Sequence, residues 1–419
     1  KYLFCAKAAI STGALDRAQS PRGAHMNHDR RTFLSGAAAV AAPLFVPRSA
    51  FGANDRLAYG VIGTGGRGRY LNRVFQKLGA QCVALCDVYE PNLQQAQKDS
   101  PGAKTYVDHH DLLAQPGVDF VVVATPDHWH CPHLLDSLAA GKDVYLEKPM
   151  SYSLEESKRM IEATRRAKRV VQIGMQRRSA PVIAQAEKVI ADGALGKISM
   201  VKPMWNWNTA RPLNNSPLPG KLDWQRFLGK APKRPLEPMR FRSWRCFWDY
   251  SGGHMTDQGT HLMDCVLRFT RCQPPRSAVC WGEVVKMTGA ECPEVFCAVF
   301  EFPGWVCTWT LNYCNSYENG WSITFMGDQG TLILDEAGFR LYKEPWAKPE
   351  NRRPVMEVRE GVPIEAHVQN FLDCIKSRQD PTCPVEVGAA AVAGPHLANI
   401  AYRKGRRARL SSDGFKAIV

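Results

Sequence analysis

A glycine-rich turn set between a strand-like run and a helix-like run, within residues 57–87, constrains this chain more than any other stretch. Leu57-Ala58-Tyr59-Gly60-Val61-Ile62 is a short apolar run bounded by turn residues, and it predicts a buried parallel strand. Gly63-Thr64-Gly65-Gly66-Arg67-Gly68 follows with G-x-G-x-x-G spacing. A helix-like stretch over 69–78 comes next, and a second apolar run, 81–86, ends at Asp87. Each glycine has its own reason in this order. Gly63 permits a tight turn, Gly65 lets the backbone approach a pyrophosphate, and Gly68 allows close helix–strand packing. Free N–H groups at the helix start supply an anion site. Asp87, at the end of the second strand, is placed to accept hydrogen bonds from an adenosine ribose. A 2′-phosphate would be repelled there, so NAD is favoured over NADP, with Arg67 partly offsetting that repulsion. A glycine-rich surface turn is the bland alternative, and the ordered set of strand, glycines, helix, strand and acid outweighs it.

The strand–helix alternation continues beyond Asp87. Residues 118–124 form a buried run ending in Thr125-Pro126, at the carboxyl edge where cofactors bind in such sheets. A helix over 132–140 stops at Gly141, and the run 143–146 delivers Glu147-Lys148-Pro149 to the same edge. Ser153-Leu154-Glu155-Glu156 reads as a capping box, and 170–174 closes the sheet. The rhythm changes after Met175. A helix over 182–190 and an aromatic, Pro-rich stretch lead into alternating runs, with Trp305, Cys307, Trp309 and Leu311 on one parity and Trp321, Ile323 and Phe325 on another. Glycine turns space these runs as a mostly antiparallel sheet. Two C-terminal helices, 365–377 and 388–402, are expected to pack back on the body. The fold class is α/β: a Rossmann parallel sheet (54–175), then an α+β domain with an open, mostly antiparallel sheet (176–419).

Residues 1–53 read as an extension with an export signal. Arg30-Arg31-Thr32-Phe33-Leu34 has twin-arginine form, followed by a small-residue apolar run and a small-x-small site near Ala50-Phe51-Gly52. That run is too short to span a bilayer, so stable membrane insertion is not expected. The expected location is periplasmic or otherwise extracytoplasmic, and an enzyme exported folded would take up its nucleotide beforehand and hold it tightly. Net charge is +14. Part of it lies in Arg403-Lys404-Gly405-Arg406-Arg407-Ala408-Arg409, without interleaved aromatics, so a solvated helix end is favoured over nucleic-acid binding. The 14 cysteines show no C-x-x-C pair and no His/Cys ligand cluster. They read as mostly free and buried, Cys82, Cys86, Cys297 and Cys307 among them, with no metal site.

Residues 252–264 are the most informative stretch of the second half. In a helix, Asp257 and His261 are i and i+4 and share a face, where a carboxylate beside an imidazole would raise its basicity. The bland reading, a capped helix satisfying its own polar groups, carries equal weight on this stretch alone. The chain resembles the Gfo/Idh/MocA oxidoreductases, which include glucose–fructose oxidoreductase and inositol dehydrogenases. Four marks in order carry the resemblance: Gly63 to Gly68, Thr125-Pro126-Asp127-His128-Trp129-His130, Glu147-Lys148-Pro149, and residues 252–264. It implies Lys148, Asp257 and His261 as the catalytic set. It also implies Thr125, Pro126, His130 and Glu147 beside the nicotinamide, and Gln176 and Arg177 at the entrance to the second domain. Trp205, Asn206 and Trp244, with the arginines Arg242 and Arg245, are candidates to contact substrate. One departure is visible: the family often has Asn after the Thr-Pro pair, and Asp127 stands here. The expected activity is hydride transfer between NAD and a secondary hydroxyl or carbonyl of a sugar or cyclitol, in a homo-dimer or homo-tetramer. An exported glycosidase using transient oxidation and elimination, and a non-catalytic sugar or nucleotide binder, are the competing readings.

Overall fold

The structure is a computed structural model that describes residues 56–345 and 352–419, and the expected export signal lies outside them. Six short strands open the described chain: β1 (Ala58–Ile62), β2 (Gln81–Cys86), β3 (Lys104–Tyr106), β4 (Phe120–Val123), β5 (Asp143–Leu146) and β6 (Val171–Ile173). All neighbouring pairs are parallel, in the order β3-β2-β1-β4-β5-β6. Between them run α1 (Gly66–Lys77), α2 (Glu90–Asp99), α3 (His109–Leu113), α4 (His130–Ala139) and α5 (Leu154–Ala167). Both faces of this sheet are covered, which explains why its strands read as continuous apolar runs. Tyr59, Val61, Phe120, Val122 and Tyr145 point to one face, and Val121, Val123, Val144 and Leu146 to the other.

The second half begins with α6 (Pro181–Ala191) and β7 (Ile198–Asn206), followed by α7 (Trp224–Leu228), α8 (Pro238–Arg242) and α9 (Gly253–Thr270). Nine further strands follow: β8 (Ser277–Glu283), β9 (Val295–Phe302), β10 (Trp305–Asn312), β11 (Gly320–Gly327), β12 (Gly330–Asp335), β13 (Gly338–Lys343), β14 (Met356–Arg359), β15 (Ala408–Leu410) and β16 (Ala417–Ile418). With β7 they build a ten-stranded sheet, β14-β13-β12-β11-β7-β10-β9-β8-β15-β16, in which only the β7–β10 pair is parallel. Burial alternates along these strands, so one face packs on Leu262, Val266 and Phe269 of α9 and the other stays open. Cys82, Cys86 and Cys307 are buried as expected, whereas Cys297 is exposed on the open face. The basic run near the C-terminus is a helix end only at Arg403 and Lys404 and then continues into β15: Arg403 lies over the Trp248 ring and Arg407 pairs with Glu301.

Two helices, α10 (Glu365–Ser377) and α11 (Val385–Lys404), return to the parallel sheet. Phe371 of α10 packs edge-on against Phe120 and Tyr145 at 5.3 and 5.7 Å between ring centres. Val385 and Ala389 of α11 join the core on the opposite face.

Candidate active site

A cleft of about 440 Å³ runs along the carboxyl edge of the parallel sheet. Its floor is the turn after β1, with Gly63, Gly65, Gly66 and Arg67, continued by Thr125 and Pro126 after β4. Its roof comes from the second half of the chain: Phe227 of α7, Phe241 of α8, then Trp244 and Arg245. The roof is anchored, because both Trp129 Nε1 and His128 Nε2 meet the Phe227 carbonyl at 2.8 Å.

The glycines fit a dinucleotide. Gly63 has φ +88°, and a Cβ there would stand 2.8 Å from the Ala124 backbone. A Cβ on Gly68 would be 1.9 Å from the Gly63 carbonyl oxygen, so these two positions are closed to side chains by the protein itself. Gly65 differs, since a Cβ there would find nothing nearer than Asn92 Nδ2 at 3.8 Å. That space is open to a ligand and belongs to the cleft lining, as a pyrophosphate cradle requires. Asp87 also lines the cleft, its carboxylate oriented by the Thr64 and Tyr89 N–H groups at 2.7 and 2.9 Å. Arg67 turns away from Asp87 and pairs with Glu147 at 2.7 Å, so it does not offset the repulsion of a 2′-phosphate.

At the end of β5, Lys148 Nζ meets Asp257 twice, at 2.7 Å to Oδ1 and 2.9 Å to the main-chain oxygen. The α9 helix therefore joins the two halves at this point. Arg245 reaches the same Oδ1 at 3.2 Å. Burial alone would raise the Asp257 carboxyl, but the Lys148 and Arg245 charges outweigh it and hold the group well below the usual carboxylate range. His261 lies one turn further along α9. Burial, then the charges of Lys148 and Arg177, push its imidazole well below the ordinary histidine value, so the ring is neutral.

Several expectations are corrected. Among the described residues Asp257 makes no hydrogen bond to His261, whose Nδ1 has no partner; the Asp257 charge does raise the imidazole, but burial and the Lys148 and Arg177 charges outweigh it. His130 is only 1% exposed and spans the carbonyls of Thr125 and Pro149 at 2.9 and 2.7 Å, so it ties two loops together and does not line the cleft. Thr64 is buried and spends its N–H and hydroxyl on Asp87. Glu147 is buried behind Arg67, and Gln176 is half-buried beyond the cleft lining. Asn206 and Trp205 are adjacent on β7 and so face opposite sides: Trp205 points to the helices, and Asn206 bonds the Tyr317 carbonyl at 3.1 Å on the open side. Trp244 does line the cleft, with the Arg245 guanidinium 4.1 Å over its ring.

Arg245, a candidate to grip the substrate, bridges the cleft roof to Asp257. One group went unforeseen as a site residue. Asp127, 1% exposed, accepts a 2.7 Å bond from the Ser251 hydroxyl. Burial and the nearby Asp257 charge raise its pKa to about 7, which makes it an uncharged group in slightly acid conditions, as an asparagine would be. The fold also gathers Asp108, His109 and His110, whose ligand atoms lie within 4.8 Å of one another on the cleft wall, a cluster the cysteine and histidine spacing did not foretell.

A parallel dinucleotide-type sheet with a glycine cradle, joined to a large mixed sheet through Lys148 and α9, defines an oxidoreductase architecture. Residues 57–175 match the model of an oxidoreductase family with an NAD-binding Rossmann fold, and 182–273 match the C-terminal alpha/beta domain of the same Gfo/Idh/MocA family. The two matches cover just over half of the chain, which belongs to that family. Among curated relatives, an inositol 2-dehydrogenase of Rubrobacter xylanophilus is 34% identical over 148 residues, 35% of this chain and 42% of its own length. One of Paracoccus denitrificans is 37% identical over 140 residues, 32% of this chain and 42% of its own length. The alignments thus span less than half of these relatives. The WlbA dehydrogenase of Bordetella pertussis, solved with NADH and UDP-GlcNAcA, shares the fold with a TM-score of 0.67 at 22% identity, over 85% of this chain and 99% of its own. A levoglucosan dehydrogenase solved with NADH and levoglucosan shares it at a TM-score of 0.67 and 17% identity, over 84% of this chain and 98% of its own.

Proposed function

We propose that this protein is an NAD-dependent oxidoreductase that moves hydride between the cofactor and a secondary hydroxyl or carbonyl of a sugar or cyclitol. The observation that carries the reading is the buried ammonium of Lys148, held by Asp257 at 2.7 Å beside the neutral imidazole of His261. When bound, NAD supplies the hydride acceptor. Gly65 and Gly66 hold its pyrophosphate, Asp87 its ribose hydroxyls, and Thr125 and Pro126 lie further along the same floor. His261 takes the hydroxyl proton. Lys148 donates a hydrogen bond to the same oxygen and stabilises the developing alkoxide in a site shielded from water. Asp257 and Arg245 orient that ammonium.

Inositol dehydrogenases among the relatives and levoglucosan dehydrogenase among the fold neighbours support the substrate class. Purified protein given NAD and a panel of sugars and cyclitols should form reduced nicotinamide, and Lys148→Ala should lower that rate more than tenfold. An unaltered rate in the variant defeats the mechanism. Release of free sugar from a synthetic glycoside without nicotinamide turnover would favour the elimination reading instead. Export by the twin-arginine route, with NAD held through purification, is part of the same proposal, and mass spectrometry of denatured protein that recovers no nucleotide would overturn it. So is a homo-oligomer: the open face of the large sheet carries Val279, Cys297, Val306 and a 70% exposed Trp281, a surface that a second copy would cover. Light scattering that reports a monomer counts against it.

A further inference from the structure

Among the described residues, the cations nearest Lys148 and His261 have a carboxylate within reach, with one exception. Arg67 has Glu147, Lys148 and Arg245 share Asp257, and Arg178 holds Asp264 at 2.9 Å. Arg177 has none. It is 7% exposed, in the short turn after β6, with its guanidinium 3.8 Å over the Trp321 ring and 5.2 Å from that of Trp205. No side-chain hydrogen bond or ion pair of Arg177 exists among the described residues, and its buried Nη1 has no partner. Stacking on two indoles offsets only part of the cost of burying a charge. Burial draws the Arg177 pKa down to about 10, and the charges of Glu336 and Asp264 offset that only in part.

The orphan lies beside the proposed chemistry, because the Arg177 charge is among those that depress His261. Trp205 Nε1, under the Arg177 guanidinium, has no partner either, and a row of ring contacts leads from Trp205 to the Tyr313 hydroxyl and both ring nitrogens of His254, which are unpartnered too, as is His261 Nδ1. Trp205 meets Trp207 at 5.1 Å between ring centres, Trp207 stacks on Tyr313 at 5.5 Å, and Tyr313 touches His254 at 4.6 Å. Buried polar groups in native structures have partners, so such a row marks where a polar ligand sits.

We propose that Arg177 is an anion subsite and that the substrate is a sugar acid, its carboxylate received by the Arg177 guanidinium while its hydroxyls meet that row and His261. This rests on the redox reading of the same site and narrows its substrate. The planar fork, with one face held on Trp321, has donors spaced to match the two oxygens of a carboxylate.

The test compares each acid with its own neutral amide, for a panel of hexuronates and aldonates, by calorimetry on the NAD-loaded full chain. At least one acid should bind on the order of tenfold to a hundredfold more tightly than its amide. Arg177→Met should abolish that preference, and Arg177→Lys should restore part of it. No acid preferred over its amide in the wild-type protein overturns the proposal, whether or not the variants fold, and so does preference for a hexose phosphate over every acid. If neutral sugars reduce NAD while acids gain nothing, this inference falls and the redox reading stands. If acids bind preferentially without nicotinamide turnover, the redox reading falls and the subsite stands.

Discussion

Asp257→Asn is the most informative single perturbation. It removes the charge that faces Lys148 at 2.7 Å and Arg245 at 3.2 Å while keeping the side chain's shape. The Lys148 and Asp257 side chains are 13% and 8% exposed, so their pair is buried and not a surface contact. Removing one partner of such a pair leaves an uncompensated charge, with a loss of about 3–5 kcal/mol. Two features place this case near the lower end. Lys148 keeps its 2.9 Å bond to the main-chain oxygen, and the Arg245 side chain, 42% exposed, can turn to water. The expected loss is about 3 kcal/mol at pH 7, read from urea unfolding midpoints and slopes. The sign of the pH dependence follows from the depressed carboxyl. Its stabilisation is fully present above the unfolded value of about 3.9 and is lost as pH falls below that toward the folded value. The gap between wild type and variant should therefore narrow toward pH 3, and it should also shrink from about pH 5 to 7, because Asp127 is freed from the repulsion of Asp257 in the variant. A loss below about 1 kcal/mol at pH 7, which is how an exposed pair behaves, would refute the reasoning. A gap unchanged at pH 3 would refute it equally.

Gly65→Ala should leave the unfolding midpoint near wild type while weakening NAD binding at least about tenfold by fluorescence titration, whereas Gly68→Ala should fail to fold stably, because only the second meets protein backbone. Equal stability of the two variants would contradict the cradle. Asp127, raised to about 7, holds a proton in the folded chain that the unfolded chain releases, so stability falls as pH rises from about 4 to 7. Asp127→Asn should flatten that decline in midpoints measured at pH 5 and 8, and a variant that declines in parallel with wild type would show Asp127 already ionised. Asp87→Asn should narrow the preference for NAD over NADP, measured as the ratio of the two dissociation constants, and an unchanged ratio would remove Asp87 from the ribose.

The parallel half was legible because its information is local. Gly63 and Gly68 are demanded by backbone geometry within a few residues, and the apolar runs name their strands directly. The α9 helix was legible for the same reason, with Asp257 and His261 one turn apart. What escaped was the direction in which a polar side chain turns once distant segments meet. Arg67 finds Glu147 80 positions away, whereas the meeting of Lys148 with Asp257, 109 positions away, was implied by the family resemblance. His130 bridges the ends of two strands whose separation no motif states. Asn206 is a different case: strand alternation already implied that it and Trp205 face apart, and that signal was present in the sequence. Arg177 was visible as a residue, but its lack of a counter-ion is a property of everything around it.

The return of α10 onto the first sheet has a consequence for the order of synthesis. Phe371 closes a ring cluster with Phe75, Phe120 and Tyr145, and His367 clamps β6 by bonding the Ile173 carbonyl while its own carbonyl receives Gln172. Residues translated hundreds of codons earlier thus wait, apolar side uncovered, for a helix made long after them. A fragment cut after β6 would keep the glycine cradle in its sequence yet bare one flank of the sheet that supports it.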